Sequence, residues 1–399
     1  MGQESRMRTS VISATIALLA ARSIARPIAE NTCTVLANGF EAIDDSPAIN
    51  DALKECGNGG TIVLPAGEYY SVWTPIDFSY CRSCDFQIEG TLLFASSQLA
   101  AFAHYDKSVF TIANATGVRI RSVTGTGVID GNAYDWYQRS NWNPHLGGYP
   151  FVHITNSSSN ISVSNLHFKN IQDRFFILQG NSHNLRFDNL RLTAEGINGI
   201  WASFDNFGFE MGQVANVSIT NVDMDFRAKP GPNERPVGTC IAFDHGTDSV
   251  DVRNVTCRRA WMGAAIVFST IFPYVAPTAN TSTSTVSNVV VSNFTFDGAH
   301  ATGVNSWFNL SKRVIRNVLW EWVRVENGTA ADFDPCYSTQ RSTQYIPQCL
   351  KMVTYDAKGL RFEHFRGNVA SPPTDPNWGT VGNGLMDVQT EFVDWVADV

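Results

Sequence analysis

Two carboxylates lie in apolar, strand-like segments near the middle of the chain: Glu210 in GFEMG (208–212) and Asp244 in CIAFDHG (240–246). Side chains alternate along a strand, so both carboxylates point outward if their apolar neighbours point inward. Pairing the two segments sets Glu210 beside Ala242, with Asp244 one strand away and two residues further along. Standard strand spacings then separate the two carboxylates by roughly 8 Å. An acid and a base that hydrolyse a glycosidic bond with inversion stand about 6.5–9.5 Å apart, so this pair could perform that chemistry.

Other polar groups near the same segments could polarise a carbonyl or move one proton. They are Thr239, His245 and Asn305, with Asp173 and Asp205 as additional carboxylates. His245 stands between Asp244 and Asp248 and could form an acid–base pair or ligate a metal. However, a lone histidine at the end of a strand is more commonly a solvated or hydrogen-bonded loop residue. His153, His167 and His183 have no ligand spacing, and we predict no metal and no cofactor.

These candidates need a scaffold, and one pattern recurs along the chain: apolar, x, apolar, x, Asn, apolar, x, apolar. Its clear copies carry their asparagine at positions 165, 189, 221, 254 and 293, and weaker copies lie at 118–125, 315–322 and 360–367. Alternation makes each copy a pair of strands with one buried face. Asparagine suits the turn between them because it tolerates left-handed backbone angles. Repeated at this spacing, the copies predict stacked coils whose asparagine amides form a ladder.

A second set of strand-like segments lies between these copies, and each follows a loop and ends in polar residues. The segments are 175–180, 208–212, 240–246, 264–270, 303–309 and 350–356. We expect them to form a neighbouring sheet that carries a binding groove. Parallel strands joined by loops at this repeat length predict an all-β fold, a right-handed parallel β-helix that is a single-stranded solenoid.

The stretch GTGVIDGNAYDWY (125–137) resembles the G-x-G-x-I-D-G-x-G-x-x-W-W segment of polygalacturonases, which form glycoside hydrolase family 28. The resemblance continues through 151–171, through CIAF (240–243), and through the cysteine of NVTCRRAW (254–261). It covers roughly residues 33–320. The resemblance implies a right-handed β-helix of the pectin lyase type and the hydrolysis of pectin chains with inversion.

The family's four catalytic motifs fall on segments with different residues. Asn-Thr-Asp-Gly falls on DNFG (205–208), Asp-Asp-Cys on GTC (238–240), Gly-His-Gly on WMG (261–263) and Arg-Ile-Lys on NSW (305–307). The resemblance then puts Thr239 in the place of the general acid, and Phe207 and Gly238 in the places of the water-activating bases. None of these three side chains can exchange a proton near neutral pH. The alignment therefore predicts that the family's catalytic carboxylates are replaced.

Several of the replacements are apolar, which would suit a neutral ligand better than a galacturonate carboxylate. Our candidates for ligand binding are Trp201, Asp205, Phe207, Met262, Phe268, Trp307 and Asp173. Aromatic residues in a β-helix more commonly belong to the core, so both placements stay open.

Three functions remain open on these residues. The favoured one is a repurposed, non-hydrolytic enzyme of the cyclase, isomerase or cycloaddition type, which would hold a mainly apolar small molecule in one reactive conformation. The second is a glycoside hydrolase with the relocated acids Glu210 and Asp244. The third is an inactive carbohydrate-binding protein. An enzyme is favoured over an inactive protein, and a classical polygalacturonase is not expected.

The N-terminal residues and the cysteines both indicate export. Residues 1–29 have the charge and the short apolar run of a signal peptide, followed by one β-helix domain (30–399) with a C-terminal loop or cap from about 330. Proximity suggests four disulfides: Cys33–Cys56, Cys81–Cys84, Cys240–Cys257 and Cys336–Cys349. Nine Asn-x-Ser/Thr sites are candidates for glycans at the surface: Asn114, Asn156, Asn160, Asn216, Asn254, Asn280, Asn293, Asn309 and Asn327. We therefore predict a protein that is secreted or lies in the lumen of the secretory pathway.

The charge of the chain limits its partners. The net charge is −8, and the basic residues do not cluster, which argues against nucleic acid. After the N-terminal run, the sequence has no apolar stretch long enough to span a membrane. We therefore expect a small-molecule or oligosaccharide substrate, no nucleic acid, no membrane, and a monomer or weak oligomer.

Overall fold

The computed structural model describes fourteen stretches of the chain, and all structural statements below refer to them. They are residues 31–39, 41–95, 108–134, 137, 150–195, 207–227, 238–267, 283–298, 303–304, 312–326, 354–364, 366–367, 387–393 and 396–397. Among the predicted features, the signal segment, Cys336–Cys349 and the sites Asn280, Asn309 and Asn327 lie outside these stretches.

Up to Leu178, the described stretches contain one α-helix, one 3₁₀ turn (Phe78–Tyr80) and twelve strands. Their bounds are β1 Thr32–Thr34, α1 Ser46–Cys56, β2 Thr61–Leu64, β3 Tyr69–Val72, β4 Ile76–Asp77, β5 Asp85–Ile88, β6 Thr91–Phe94, β7 Phe110–Ala113, β8 Arg119–Arg121, β9 Val128–Asp130, β10 Val152–Thr155, β11 Ser159–Lys169 and β12 Arg174–Leu178.

The strands after Leu178 include the longest ones of the structure. Their bounds are β13 Ser182–Glu195, β14 Phe207–Met211, β15 Val214–Arg227, β16 Thr239–Phe243, β17 Thr247–Ala260, β18 Met262–Ile266, β19 Ser284–Gly298, β20 Gly303–Val304, β21 Lys312–Glu326, β22 Thr354–Glu363, β23 Arg366–Gly367, β24 Asp387–Val393 and β25 Val396–Ala397.

The described strands form two parallel sheets, and the chain passes from one to the other in every coil. The small sheet contains eight strands in the order β4, β7, β10, β12, β14, β16, β18 and β20. The other seventeen strands form the large sheet, in which β11, β13, β15, β17, β19 and β21 stack in sequence order. This arrangement is a right-handed parallel β-helix, as the repeats predicted.

The long strands of the large sheet turn at the repeated asparagines. All five have a left-handed backbone, with φ between 50° and 57°. Asn189 donates from Nδ2 to Asn165 Oδ1 at 3.0 Å, and the bond from Asn254 to Asn221 is 3.1 Å long. Asn293 continues the ladder at 2.6 Å, whereas Asn221 donates to Asp188 instead of to Asn189. The predicted amide ladder is therefore confirmed, except that Asp188 replaces Asn189 as the acceptor for Asn221.

Two features of the fold differ from the sequence-based picture. Helix α1 was missed, although Pro47 at its start and the spacing of its buried residues Ile49, Leu53 and Cys56 are typical of a helix. The segment 350–356 was expected in the small sheet, but its described part belongs to β22, which pairs with β21 in the large sheet. This expectation was wrong because an apolar alternation does not specify which sheet a strand joins.

Three of the predicted disulfides are present: Cys33–Cys56, Cys81–Cys84 and Cys240–Cys257. The last of them joins β16 of the small sheet to β17 of the large sheet. The six described Asn-x-Ser/Thr asparagines, at 114, 156, 160, 216, 254 and 293, are all exposed. Their glycosylation stays a prediction. Within the described stretches, no helix has the length and apolar character needed to cross a bilayer.

Candidate functional site

The small sheet has one face in the protein core and one face outside it. Phe209 and Ile241, which pair in β14 and β16, belong to the main core. Their neighbours Glu210 and Ala242 also pair with each other, and alternation turns them to the opposite, outer face. The predicted pairing of Glu210 with Ala242 is therefore present in the structure.

Asp244 follows β16 by one residue and continues the same outer face. Its backbone N–H donates to Met211 O at 2.8 Å, so the strand register extends through this residue. A Cβ built on Gly212 would lie 3.7 Å from Asp244 Cβ, which places the Asp244 side chain above the end of β14. Asp244 thus lies one strand away from Glu210 and two residues further along, as the sequence indicated.

Arg174, at the start of β12, joins two carboxylates on this face. Its Nε donates to Glu210 and its Nη1 donates to Asp173. The guanidinium also lies 5.0 Å from the centroid of the Phe207 ring, a distance typical of a cation–π contact. We call Asp173, Arg174, Glu210 and Asp244 the acidic cluster. Its three carboxylates are buried at 3–5% exposure, and it contains a single cation.

Burial raises the pKa of Glu210 to about 8, although Arg174 opposes this increase. The charges of Asp173 and Asp244 raise this pKa further, since they are negative neighbours. One oxygen of Glu210, Oε1, is buried without a hydrogen-bond partner in the structure. At neutral pH Glu210 is therefore protonated and can serve as a proton donor.

An apolar cluster adjoins the acidic cluster on the same face. It contains Phe207, Ala242, Met262, Ala265 and Val267, with Trp261 packed against it. This group is separate from the main core. Two predicted ligand-binding residues, Phe207 and Met262, are therefore brought together here, beside Thr239, which pairs with both of them in the sheet.

A neutral polar pair lies toward the other end of the small sheet. His153 of β10 pairs in register with Ile177 of β12, which itself pairs with Glu210. The imidazole contacts the side-chain amide of Gln179 at 2.5 Å, and burial lowers the pKa of His153 to about 4. His153 is thus uncharged at neutral pH. Sequence reasoning missed His153, Gln179 and Arg174 as site residues. Alternation could have identified Gln179, because a residue two positions after Ile177 lies on the same face of the strand.

His245 lies at the edge of this site and faces the large sheet. Its Nδ1 accepts a hydrogen bond from the Thr285 backbone N–H at 3.2 Å. Burial lowers its pKa.

Five further predicted site residues lie outside the described stretches, namely Trp201, Asp205, Phe268, Asn305 and Trp307. Among the described residues, no group of three or more His, Cys, Asp or Glu side chains is arranged to hold a metal ion. The absence of a metal or cofactor stays a prediction.

A protein-family model described as "Glycosyl hydrolases family 28" matches residues 58–300 of this chain. "Probable endo-xylogalacturonan hydrolase A" of Aspergillus fumigatus is 36% identical over 225 residues, which cover 56% of this chain and 52% of that relative. "Endo-xylogalacturonan hydrolase A" of Aspergillus tubingensis is 34% identical over 290 residues, covering 68% of this chain and 69% of that relative. The chain thus spans about half to two thirds of the length of these relatives.

Two solved structures have the same fold. The crystal structure of endo-xylogalacturonan hydrolase from Aspergillus tubingensis matches with a TM-score of 0.72 and 23% identity, covering 92% of this chain and 93% of that one. A polygalacturonase from Erwinia carotovora ssp. carotovora matches with a TM-score of 0.55 and 12% identity, covering 95% and 98%. Both likenesses concern the β-helix itself.

Proposed function

The chain belongs to glycoside hydrolase family 28, and from this premise we propose that it hydrolyses a glycosidic bond with Glu210 as the proton donor and Asp244 as the base. The observation that carries the proposal is the raised pKa of Glu210, about 8, beside two other buried carboxylates. Inverting hydrolysis needs one carboxyl that is protonated and one that is ionised. In this proposal Glu210 would be the protonated carboxyl and Asp244 the ionised one.

In the proposed reaction, Glu210 gives its proton to the glycosidic oxygen as the bond from that oxygen to the anomeric carbon breaks. A water molecule attacks the opposite side of the sugar ring, and Asp244 accepts the proton that this water loses. Each turnover leaves Glu210 ionised and Asp244 protonated, and exchange with solvent restores both. Arg174 positions Glu210 through its Nε, and Asp173 keeps the guanidinium in place.

We propose xylogalacturonan as the substrate, because relatives at 34–36% identity are named for its hydrolysis. The apolar cluster supports this choice. Apolar surroundings of this kind would suit an uncharged xylosyl branch better than a galacturonate carboxylate, which needs a cation or a hydrogen-bond donor. Thr239 and Phe207 would then occupy the positions of family carboxylates whose role passes to the acidic cluster. We also propose that the protein is secreted, which agrees with the three disulfides of the described stretches, and that it acts as a monomer or weak oligomer.

The apolar cluster also favours a second candidate, the non-hydrolytic enzyme expected from the sequence. Its buried Phe207, Met262 and Val267 would hold a small apolar molecule, and Glu210 would exchange one proton with it. The comparisons give this candidate no support, so it ranks behind hydrolysis. The inactive carbohydrate-binding protein ranks third, because a buried carboxyl with a raised pKa is typical of active sites.

The test measures reducing ends released from xylogalacturonan, polygalacturonan and galactan by the wild-type protein and by Glu210→Gln and Asp244→Asn. We expect cleavage of xylogalacturonan, reduced about 100-fold or more by either substitution. Glu55→Gln is the matched control, because Glu55 is exposed in α1, and it should keep full activity. Full activity in both site variants would overturn the assignment of the acids. Intact polymers after incubation with the wild-type protein would favour the second candidate.

A further inference from the structure

We propose that Trp322 and His364 form a second binding site for a polysaccharide chain, on the large sheet and separate from the acidic cluster. The proposal shares with the proposed function only the class of ligand. It rests on the place that these two aromatic residues take in the asparagine ladder.

Trp322 and His364 continue the ladder beyond its last asparagine. Ser292 pairs with Glu321, and Phe294 pairs with Val323, so Trp322 occupies the position that follows Asn293. In the same way Glu321 pairs with Glu363, which places His364 next in the column. The backbone is left-handed at each position of this column, with φ of 50° at Asn293, 54° at Trp322 and 55° at His364. The ladder position is therefore kept while the residue type changes.

This change is unfavourable for folding by itself. Asparagine adopts left-handed angles readily, whereas a bulky aromatic residue rarely does. An asparagine at position 322 could also donate to Asn293, as Asn293 donates to Asn254. Residues held in sparsely populated backbone regions cluster at functional sites. The tryptophan therefore indicates a role that an asparagine could not fulfil.

The geometry presents an ordered aromatic surface to solvent. The two rings stack with centroids 4.0 Å apart and an angle of 17° between their planes. Trp322 nevertheless remains 53% exposed. The exposed part of such a ring can contact the apolar face of a pyranose, and its indole N–H can donate to a sugar hydroxyl.

The surroundings favour a sugar over a macromolecular partner of another class. Arg324 forms an ion pair with Glu326 at 2.9 Å, and Arg361 pairs with Glu363. These balanced pairs do not provide the excess positive charge that nucleic acid requires. Two stacked rings also offer much less area than the roughly 800 Å² per partner of a stable protein interface.

The second site would lie several coils away from the acidic cluster. Glu210 lies in β14, which leads into β15, whereas Trp322 lies in β21, three strands further along the large sheet. At about 4.8 Å per coil, the separation along the helix axis is roughly 14 Å. The two sites are therefore distinct, and a short oligosaccharide would reach only one of them.

The test uses affinity electrophoresis in gels that contain xylogalacturonan, polygalacturonan or xylan. All variants are made in the Glu210→Gln background, so that retention is measured without cleavage and stands apart from the catalytic proposal. Trp322→Asn should weaken polymer binding about tenfold, the effect of removing a well-packed aromatic anchor. Its melting temperature should not fall, because asparagine suits the backbone. Trp322→Gly is the second variant, since glycine also accepts positive φ.

Tyr69→Asn is the matched control, because Tyr69 is another exposed aromatic residue, at 67% exposure, and this variant should bind the polymer unchanged. Trp322→Asn with the catalytic Glu210 restored should cleave short oligosaccharides at the wild-type rate. Unchanged retention in both Trp322 variants would overturn the proposal. So would a wild-type dimer that becomes monomeric in Trp322→Asn, because the ring pair would then be a surface for self-association.

Discussion

Arg174 donates a hydrogen bond to Glu210, and yet the pKa of Glu210 is raised to about 8. Burial is the largest influence on this pKa and outweighs the guanidinium, and the negative charges of Asp173 and Asp244 raise the pKa further. This combination makes Glu210 an acid that keeps its proton at neutral pH. The pH dependence of the protein should therefore contain a contribution from this side chain.

Glu210 should make folding stability depend on pH between about 4.5 and 8. Its pKa is raised from 4.5 to about 8 in the folded protein, so this carboxyl binds more protons in the folded state than in the unfolded state in this window. The contribution of Glu210 to the free energy of unfolding should then fall as the pH rises from 4.5 to 8, by an amount on the order of a few kcal/mol. His153 and His167, whose pKa values burial lowers from 6.5 to about 4, act in the opposite direction up to about pH 6.5. The free energy of unfolding of the wild type relative to that of Glu210→Gln isolates the Glu210 contribution and should decrease with pH. Chemical denaturation at several pH values measures this difference, and a difference that stays constant with pH would contradict the raised pKa.

Catalytic activity should decrease above about pH 8, because Glu210 then loses the proton that it would donate. If Glu210 is the proton donor, kcat/KM for xylogalacturonan should fall about tenfold per pH unit above that point. Arg174 lowers the pKa of Glu210, so in Arg174→Gln the alkaline limb of the kcat/KM–pH profile should move to higher pH. Arg174→Lys keeps the positive charge and should move it less. A limb that stays in place in Arg174→Gln would show that another group titrates there.

The asparagine ladder should contribute measurably to stability. Asn189 has φ of 51° and donates to Asn165 at 3.0 Å. Asn189→Ala loses this bond and leaves a Cβ in the left-handed region, so we expect a loss of about 2 kcal/mol. Asn189→Gly loses only the bond and should be less destabilising, at about 1 kcal/mol. Thermal and urea denaturation of both variants measure the difference; equal losses would mean that backbone strain is unimportant there.

The disulfide Cys240–Cys257 should stabilise the strand that carries the site. It closes a loop between residues 17 positions apart and fixes β16 against β17. Loss of such a loop constraint typically costs about 3 kcal/mol. The double variant Cys240→Ala/Cys257→Ala should therefore melt at a lower temperature and keep less activity at its upper temperature limit. Unaltered melting would mean that packing alone holds the strand in place.

The sequence determined the fold and one part of the site. The asparagine repeats specified the β-helix, since alternation and left-handed turns are local properties that recur in every coil. The same alternation specified the pairing of Glu210 with Ala242, because parallel strands in stacked coils keep a constant register. Three disulfides also followed from proximity along the chain.

Only the tertiary structure decided the chemistry of the acidic cluster. Arg174 lies 36 residues before Glu210, and no local pattern shows that its guanidinium binds two carboxylates at once. The raised pKa depends on burial by side chains from several coils, which a sequence does not display. The stacking of Trp322 on His364 likewise joins two coils. Contacts between side chains of different coils determine the protonation of Glu210 and the exposure of Trp322, whereas the repeat within each coil determines only the path of the backbone.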